Sequence, residues 1–91
     1  MQYANYKANM NAVLRYDHSI SPSAKLLFMD ILYFTGEGDY SFVSDNQLAI
    51  HYDTELAHIK DMLYVLQDRK YIDIDYVDGR RVIIPIKAKH N

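Results

Sequence analysis

The chain has 91 residues, 49 % of them apolar and 24 % charged, with no cysteine and a formal net charge of −2. So short a chain builds one core, and its apolar share can offset the ordering entropy of folding; it has neither a disulfide framework nor a thiolate metal site. A nucleic-acid binder usually carries an excess of Lys and Arg, so the placement of the charges matters more here than their sum.

Residues 1–16 contain no basic stretch followed by an apolar run. Nowhere do the roughly 18 consecutive apolar residues of a membrane span occur. Together with the absence of cysteine this points to a cytoplasmic protein. Within an arm over 1–19, Tyr3, Tyr6, Ala8, Met10, Val13 and Leu14 alternate loosely, which predicts a short strand followed by a turn or helical turn.

Ser21-Pro22 is a helix start: the serine oxygen accepts an orphan N–H, and a proline at the first helical position has none to waste. Ala24, Leu27, Phe28, Ile31, Leu32 and Phe34 then recur at helical spacing until Gly36 and Gly38, predicting helix one over 21–35. Residues 39–43 read as a short extended piece that can pair with the C-terminal hairpin as a third strand. Ser44-Asp45-Asn46-Gln47 has the form of a capping box and opens helix two over 44–52. Around Tyr52-Asp53-Thr54 the rhythm breaks; Asp53 suits a left-handed turn, and Asp53 or Thr54 offers an oxygen to cap helix three over 54–69. That helix carries the stripe Leu56, Ile59, Met62, Leu63, Val65 and Leu66, with Arg69-Lys70 at its negative end.

The hairpin over 71–87 alternates Ile72, Ile74 and Tyr76 with Asp73 and Asp75, turns at Asp78-Gly79 and returns through Val82-Ile83-Ile84. A two-residue turn sets Val77 opposite Arg80, Ile74 opposite Ile83 and Asp75 opposite Val82, with the Ile74–Ile83 face expected inside. The fold class is α+β, mainly α: three helices, a C-terminal β-hairpin wing and an N-terminal strand as an option. This is the element order of a winged helix-turn-helix.

The residues Ile20-Ser21-Pro22-Ser23-Ala24-Lys25-Leu26-Leu27, Ser44-Asp45-Asn46-Gln47-Leu48-Ala49 and Leu63-Tyr64-Val65-Leu66 resemble the winged helix domains of Gram-positive plasmid replication initiators and phage replication or regulatory proteins. The step into the wing, glycine-leucine-isoleucine in those families, reads Lys70-Tyr71-Ile72, and the usual turn glycine is Asp53. The resemblance implies DNA binding in transcription regulation or replication, with Ala57, His58, Lys60, Asp61 and Tyr64 of helix three facing the major groove.

Charge by region shifts the weight of that reading. From Asp39 to Asp78 nine acids face Lys60, Arg69 and Lys70, whereas Gly79 to Asn91 holds Arg80, Arg81, Lys87 and Lys89 and no acid. Phosphate contacts need cations or N–H donors, so the wing and tail are the better anchors. The candidate DNA-binding residues are therefore Ser44 and Gln47 at the helix-two N-terminus, His58, Lys60 and Tyr64 on helix three, Arg80 and Arg81 in the wing, and Lys87 and Lys89 in the tail. Each also has a plain structural reading: a capping box, surface residues, a solvated hairpin tip.

The four histidines, at 18, 51, 58 and 90, show no ligand spacing, so neither a metal nor another cofactor is expected. Gly36-Glu37-Gly38 follows a helix, where a phosphate-cradling loop would precede one. Asp73 and Asp75 share a strand face, which a solvated sheet explains without catalysis. The tyrosines, including Tyr33, Tyr52, Tyr64 and Tyr71, read mostly as core or edge residues, and no enzymatic role is expected. The expected partner is double-stranded DNA, with a homodimer suggested by the apolar surface of Val82, Ile84 and Ile86 and by Tyr3 and Tyr6 of the first segment, one such surface needing cover by the same chain or another. The alternative is an acidic winged helix whose helix-three surface meets a protein partner or mimics DNA.

Overall fold

The computed structural model describes residues 12–86 as a helical turn over 12–15, three helices and a two-stranded antiparallel hairpin, a mainly helical α+β arrangement. The expected N-terminal strand, Tyr3, Tyr6, Lys87 and Lys89 lie outside the described residues. No helix among the described residues is long and apolar enough to cross a membrane.

Helix α1, Pro22–Thr35, starts as its sequence requires. Ser21 is extended and its Oγ accepts from the Ala24 N–H at 3.1 Å, with Pro22 in the first turn. Gly36 closes the helix at φ 63°, donating to the Leu32 carbonyl at 3.0 Å. Ala24, Leu27, Phe28, Ile31 and Leu32 are buried, but Phe34 is not: its ring lies at the surface against His51. The opposite side of α1 exposes Leu26, Met29 and Tyr33.

Helix α2, Asp45–Tyr52, opens with both halves of the capping box. The Gln47 N–H donates to Ser44 Oγ at 3.1 Å, and the Ser44 N–H donates to Gln47 Oε1 at 2.8 Å. Asp53 takes the left-handed conformation (φ 53°, ψ 51°) that redirects the chain into helix α3, Leu56–Asp68. The cap of α3 differs from expectation: Glu55 is the N-cap residue and no side chain caps it, while Thr54 turns its hydroxyl to His58 Nδ1 at 3.1 Å. Ile59, Met62, Leu63 and Leu66 face the core; Leu56 stands at its margin.

The exit from α3 is a Schellman turn on a non-glycine residue. The Tyr71 N–H donates to the Leu66 carbonyl at 2.9 Å and the Lys70 N–H to the Gln67 carbonyl at 3.0 Å, with Lys70 at φ 70°. Tyr71 is thereby turned inward, edge-on to Phe28 with ring centroids 6.0 Å apart. Its hydroxyl donates to Asp17 at 2.6 Å, fastening the segment before α1 to the start of the hairpin.

Strands β1, Ile72–Val77, and β2, Arg80–Pro85, pair in the expected register around Asp78 and Gly79, both at positive φ. Residues 39–43 join the sheet through one bridge, Ser41 exchanging two 2.9 Å hydrogen bonds with Ile83. The burial of the hairpin departs from simple alternation. Ile83 is buried as expected, yet its partner Ile74 is only half-buried, and Val82 on the other face is fully buried within the chain. β2 runs between β1 and the Ser41 bridge and so has a neighbour on both edges, whereas β1 pairs on one edge only. The core itself joins Leu14, Ile20, the inner faces of the three helices, Tyr71, Ile72 and Ile83.

Candidate nucleic-acid interface

The N-terminus of α2, the first two turns of α3 and the returning strand of the hairpin enclose an open groove of about 450 Å³. Ser44, Asp45, Asn46, Leu56 and Lys60 line it from the helical side, Phe42 from the extended segment, and Arg80 and Arg81 from the hairpin. By helix geometry the N–H groups of Asp45 and Asn46 fall outside the intrahelical ladder and end at this groove. Four of the candidate residues thus meet in one place: Ser44, Lys60, Arg80 and Arg81.

The two arginines, adjacent in sequence, do different things. Strand alternation sends their side chains to opposite faces of the hairpin. Arg81 turns inward: Nη1 donates to Asp45 Oδ1 at 2.7 Å and Nη2 to the Val43 carbonyl at 2.8 Å, with both charged side chains about four-fifths covered. This forked contact pins the hairpin to the start of α2 and neutralises the one carboxylate in the groove wall. Arg81 is therefore a structural tie, at odds with the expectation of a free wing cation. Arg80 stays exposed and lays its guanidinium 4.2 Å over the Phe42 ring, which is itself edge-on to Tyr40. Stacking leaves the edge N–H groups of the fork open to an acceptor.

The remaining candidates scatter. Gln47 borders a second depression with Phe34, Ile50, His51 and the far side of Phe42 and Arg80. His58 belongs to a shallow cleft formed with Asp53, Thr54 and Glu55, away from Lys60. Tyr64 is 68 % exposed and stands apart from the residues that line this groove. On α3, Ala57, His58, Lys60, Asp61 and Tyr64 are all exposed. Phe42 escaped the sequence reading, although the pairing foreseen for residues 39–43 with the hairpin was the signal that would have placed it beside Arg80.

The tyrosines are more exposed than anticipated, with Tyr33, Tyr64 and Tyr76 at the surface. Tyr52 is the exception of chemical interest: its hydroxyl donates to the Asp30 carboxylate, whose Oδ2 also stands 3.7 Å from His51 Nε2. Burial first, and then the Asp30 contact, push the Tyr52 phenol well above its usual range. A nucleophilic tyrosine needs the opposite shift, so this trio reads as a tie between α1 and α2. Among the described residues no group of three His, Asp or Glu side chains could hold a metal ion.

No protein-family model matches the chain, and neither the curated proteins nor the solved structures yield a significant relative.

Proposed function

We propose that this chain is a winged helix-turn-helix domain that binds double-stranded DNA, with the backbone of one strand seated in the groove between α2, α3 and the hairpin. The observation that carries the reading is the convergence of Lys60, exposed Arg80 and the α2 N-terminus on that groove, where Arg81 has neutralised Asp45. A phosphate there would meet two cations and the positive end of a helix dipole with no unpaired carboxylate in the wall. The left-handed turn at Asp53 sets α3 against α2, and a strand held in the groove would bring the exposed side of α3 to the adjacent major groove. By the resemblance of its helix starts and wing step, the domain acts in transcription regulation or replication on a plasmid or phage genome, in the cytoplasm.

The test is binding to random-sequence duplex across a range of salt. Affinity should fall steeply as salt rises, and Lys60→Ala with Arg80→Ala should reduce the log–log slope by about 0.9 for each phosphate no longer neutralised. No binding at low salt would sink the reading. It would turn attention to the acidic surface of α3, where Asp61 and Asp68 are exposed, as a protein-binding or DNA-mimicking face.

A further inference from the structure

We propose that the outer face of α1 is a homodimer interface, two copies packing α1 against α1 antiparallel across a two-fold axis. The inference is independent of DNA binding.

Helix α1 is apolar on two sides. At 100° per residue its buried side chains centre on one direction, and Leu26, Met29 and Tyr33 lie opposite within an arc of about 60°. These three are 56 %, 38 % and 79 % exposed, in a helix whose other face already supplies much of the core. A surface helix normally turns polar residues outward, so an apolar stripe there calls for a covering partner. Of the hairpin face anticipated for this role, Val82 is buried within its own chain, while Ile84 and Ile86 are half-buried.

Charge identifies the partner as a second copy. At the N-terminal end of the stripe, Lys25 Nζ donates to the Arg15 carbonyl at 2.7 Å, holding two cations at the rim of a cleft with Leu26 and Met29. Past the C-terminal end stand exposed Glu37 and Asp39. No acid occupies the first turn of α1 and no base the last, so the flanking charges reinforce the helix dipole where most helices offset it. Each end of the face thus needs the opposite end. An antiparallel two-fold supplies it, setting Leu26 near the partner's Tyr33, Met29 near the axis, and Arg15 and Lys25 toward the partner's Glu37 and Asp39.

Sedimentation of the full chain over a concentration series tests this. A reversible dimer is expected, with Met29→Glu and Tyr33→Asp each weakening dimerisation by about tenfold or more through a charge set in an apolar contact. Because Tyr33 is so exposed, Tyr33→Asp should keep its far-ultraviolet circular dichroism and melting behaviour in the monomer. Lys25→Glu and Glu37→Lys should each weaken the dimer, and the double exchange should recover it. A chain that stays monomeric at all concentrations up to about 1 mM, which includes the case where another protein covers the stripe, would overturn the proposal. So would a dimer indifferent to both apolar replacements, or a double exchange no better than its single components.

Discussion

Arg81 reaches from the returning strand of the hairpin to Asp45 at the start of α2, 36 positions away in sequence, and closes on it at 2.7 Å. A second N–H of the same guanidinium meets the Val43 carbonyl, so one side chain holds the hairpin, the extended segment and α2 together. Its neighbour Arg80 makes no such tie and is left to face outward over Phe42.

The two arginines should therefore separate stability from binding. Arg81→Ala is expected to lower folding stability by about 1–3 kcal/mol, since it removes two charge-assisted hydrogen bonds and leaves Asp45 partly covered without its partner. Arg80→Ala should cost well under that and chiefly weaken duplex binding. Urea denaturation with an unchanged m-value would read the first effect, and a double-mutant cycle with Asp45→Ala its coupling. Equal stability losses from the two replacements would contradict the division.

The link between Asp17 and Tyr71 should give the protein a stability profile that falls at both extremes of pH. Hydrogen bonds from the Ser19 side chain and then from the Tyr71 hydroxyl lower Asp17 from 3.8 to about 2. Its contribution is present above pH 3.8 and is lost as pH drops through the lower value. Burial first, and then the Asp17 contact, raise Tyr71 from 10.0 to about 12, so its contribution holds below pH 10 and is lost as pH climbs through the upper value. Tyr71→Phe keeps the ring against Phe28 but removes the hydroxyl. Denaturation midpoints measured across pH should then show a shallower acid limb and a flatter alkaline limb than the parent; identical profiles would refute the link.

Two non-glycine residues hold the left-handed conformation at helix ends, Asp53 at φ 53° and Lys70 at φ 70°. Lysine lacks the short polar side chain that eases this conformation, so Lys70→Gly should raise stability by roughly 1 kcal/mol and Asp53→Gly by less. Lys70→Val should do the reverse, a β-branched side chain at positive φ being the harder case. Thermal unfolding would rank the three.

Ser44 borders the proposed DNA groove, yet its oxygen is already engaged by the Gln47 N–H. Ser44→Ala should accordingly cost about 1 kcal/mol of stability through the lost cap. Its effect on duplex affinity should be far smaller than that of Lys60→Ala, as a salt titration of both variants would show.

Much of the fold was legible because it is written in short-range interactions. Ser21-Pro22, the Ser44–Gln47 box, the break at Asp53 and the Asp78-Gly79 turn each act over two to four positions, through hydrogen bonds and backbone sterics that a string of residues displays directly. The hairpin register followed from its two-residue turn for the same reason. What tertiary structure alone decided were the relations between elements. The turn at Asp53 and the lie of the hairpin put Lys60 in the groove with Arg80, while His58, about 200° round the same helix, is on the other side of α3 by helix geometry alone. Long-range packing buried Val82 as well as Ile83, and left the outer stripe of α1 in the open. Length, composition and charge by region directed attention to the wing. Adjacent strand residues point to opposite faces, and the tertiary structure laid one hairpin arginine over Phe42 and made the other a strut to Asp45.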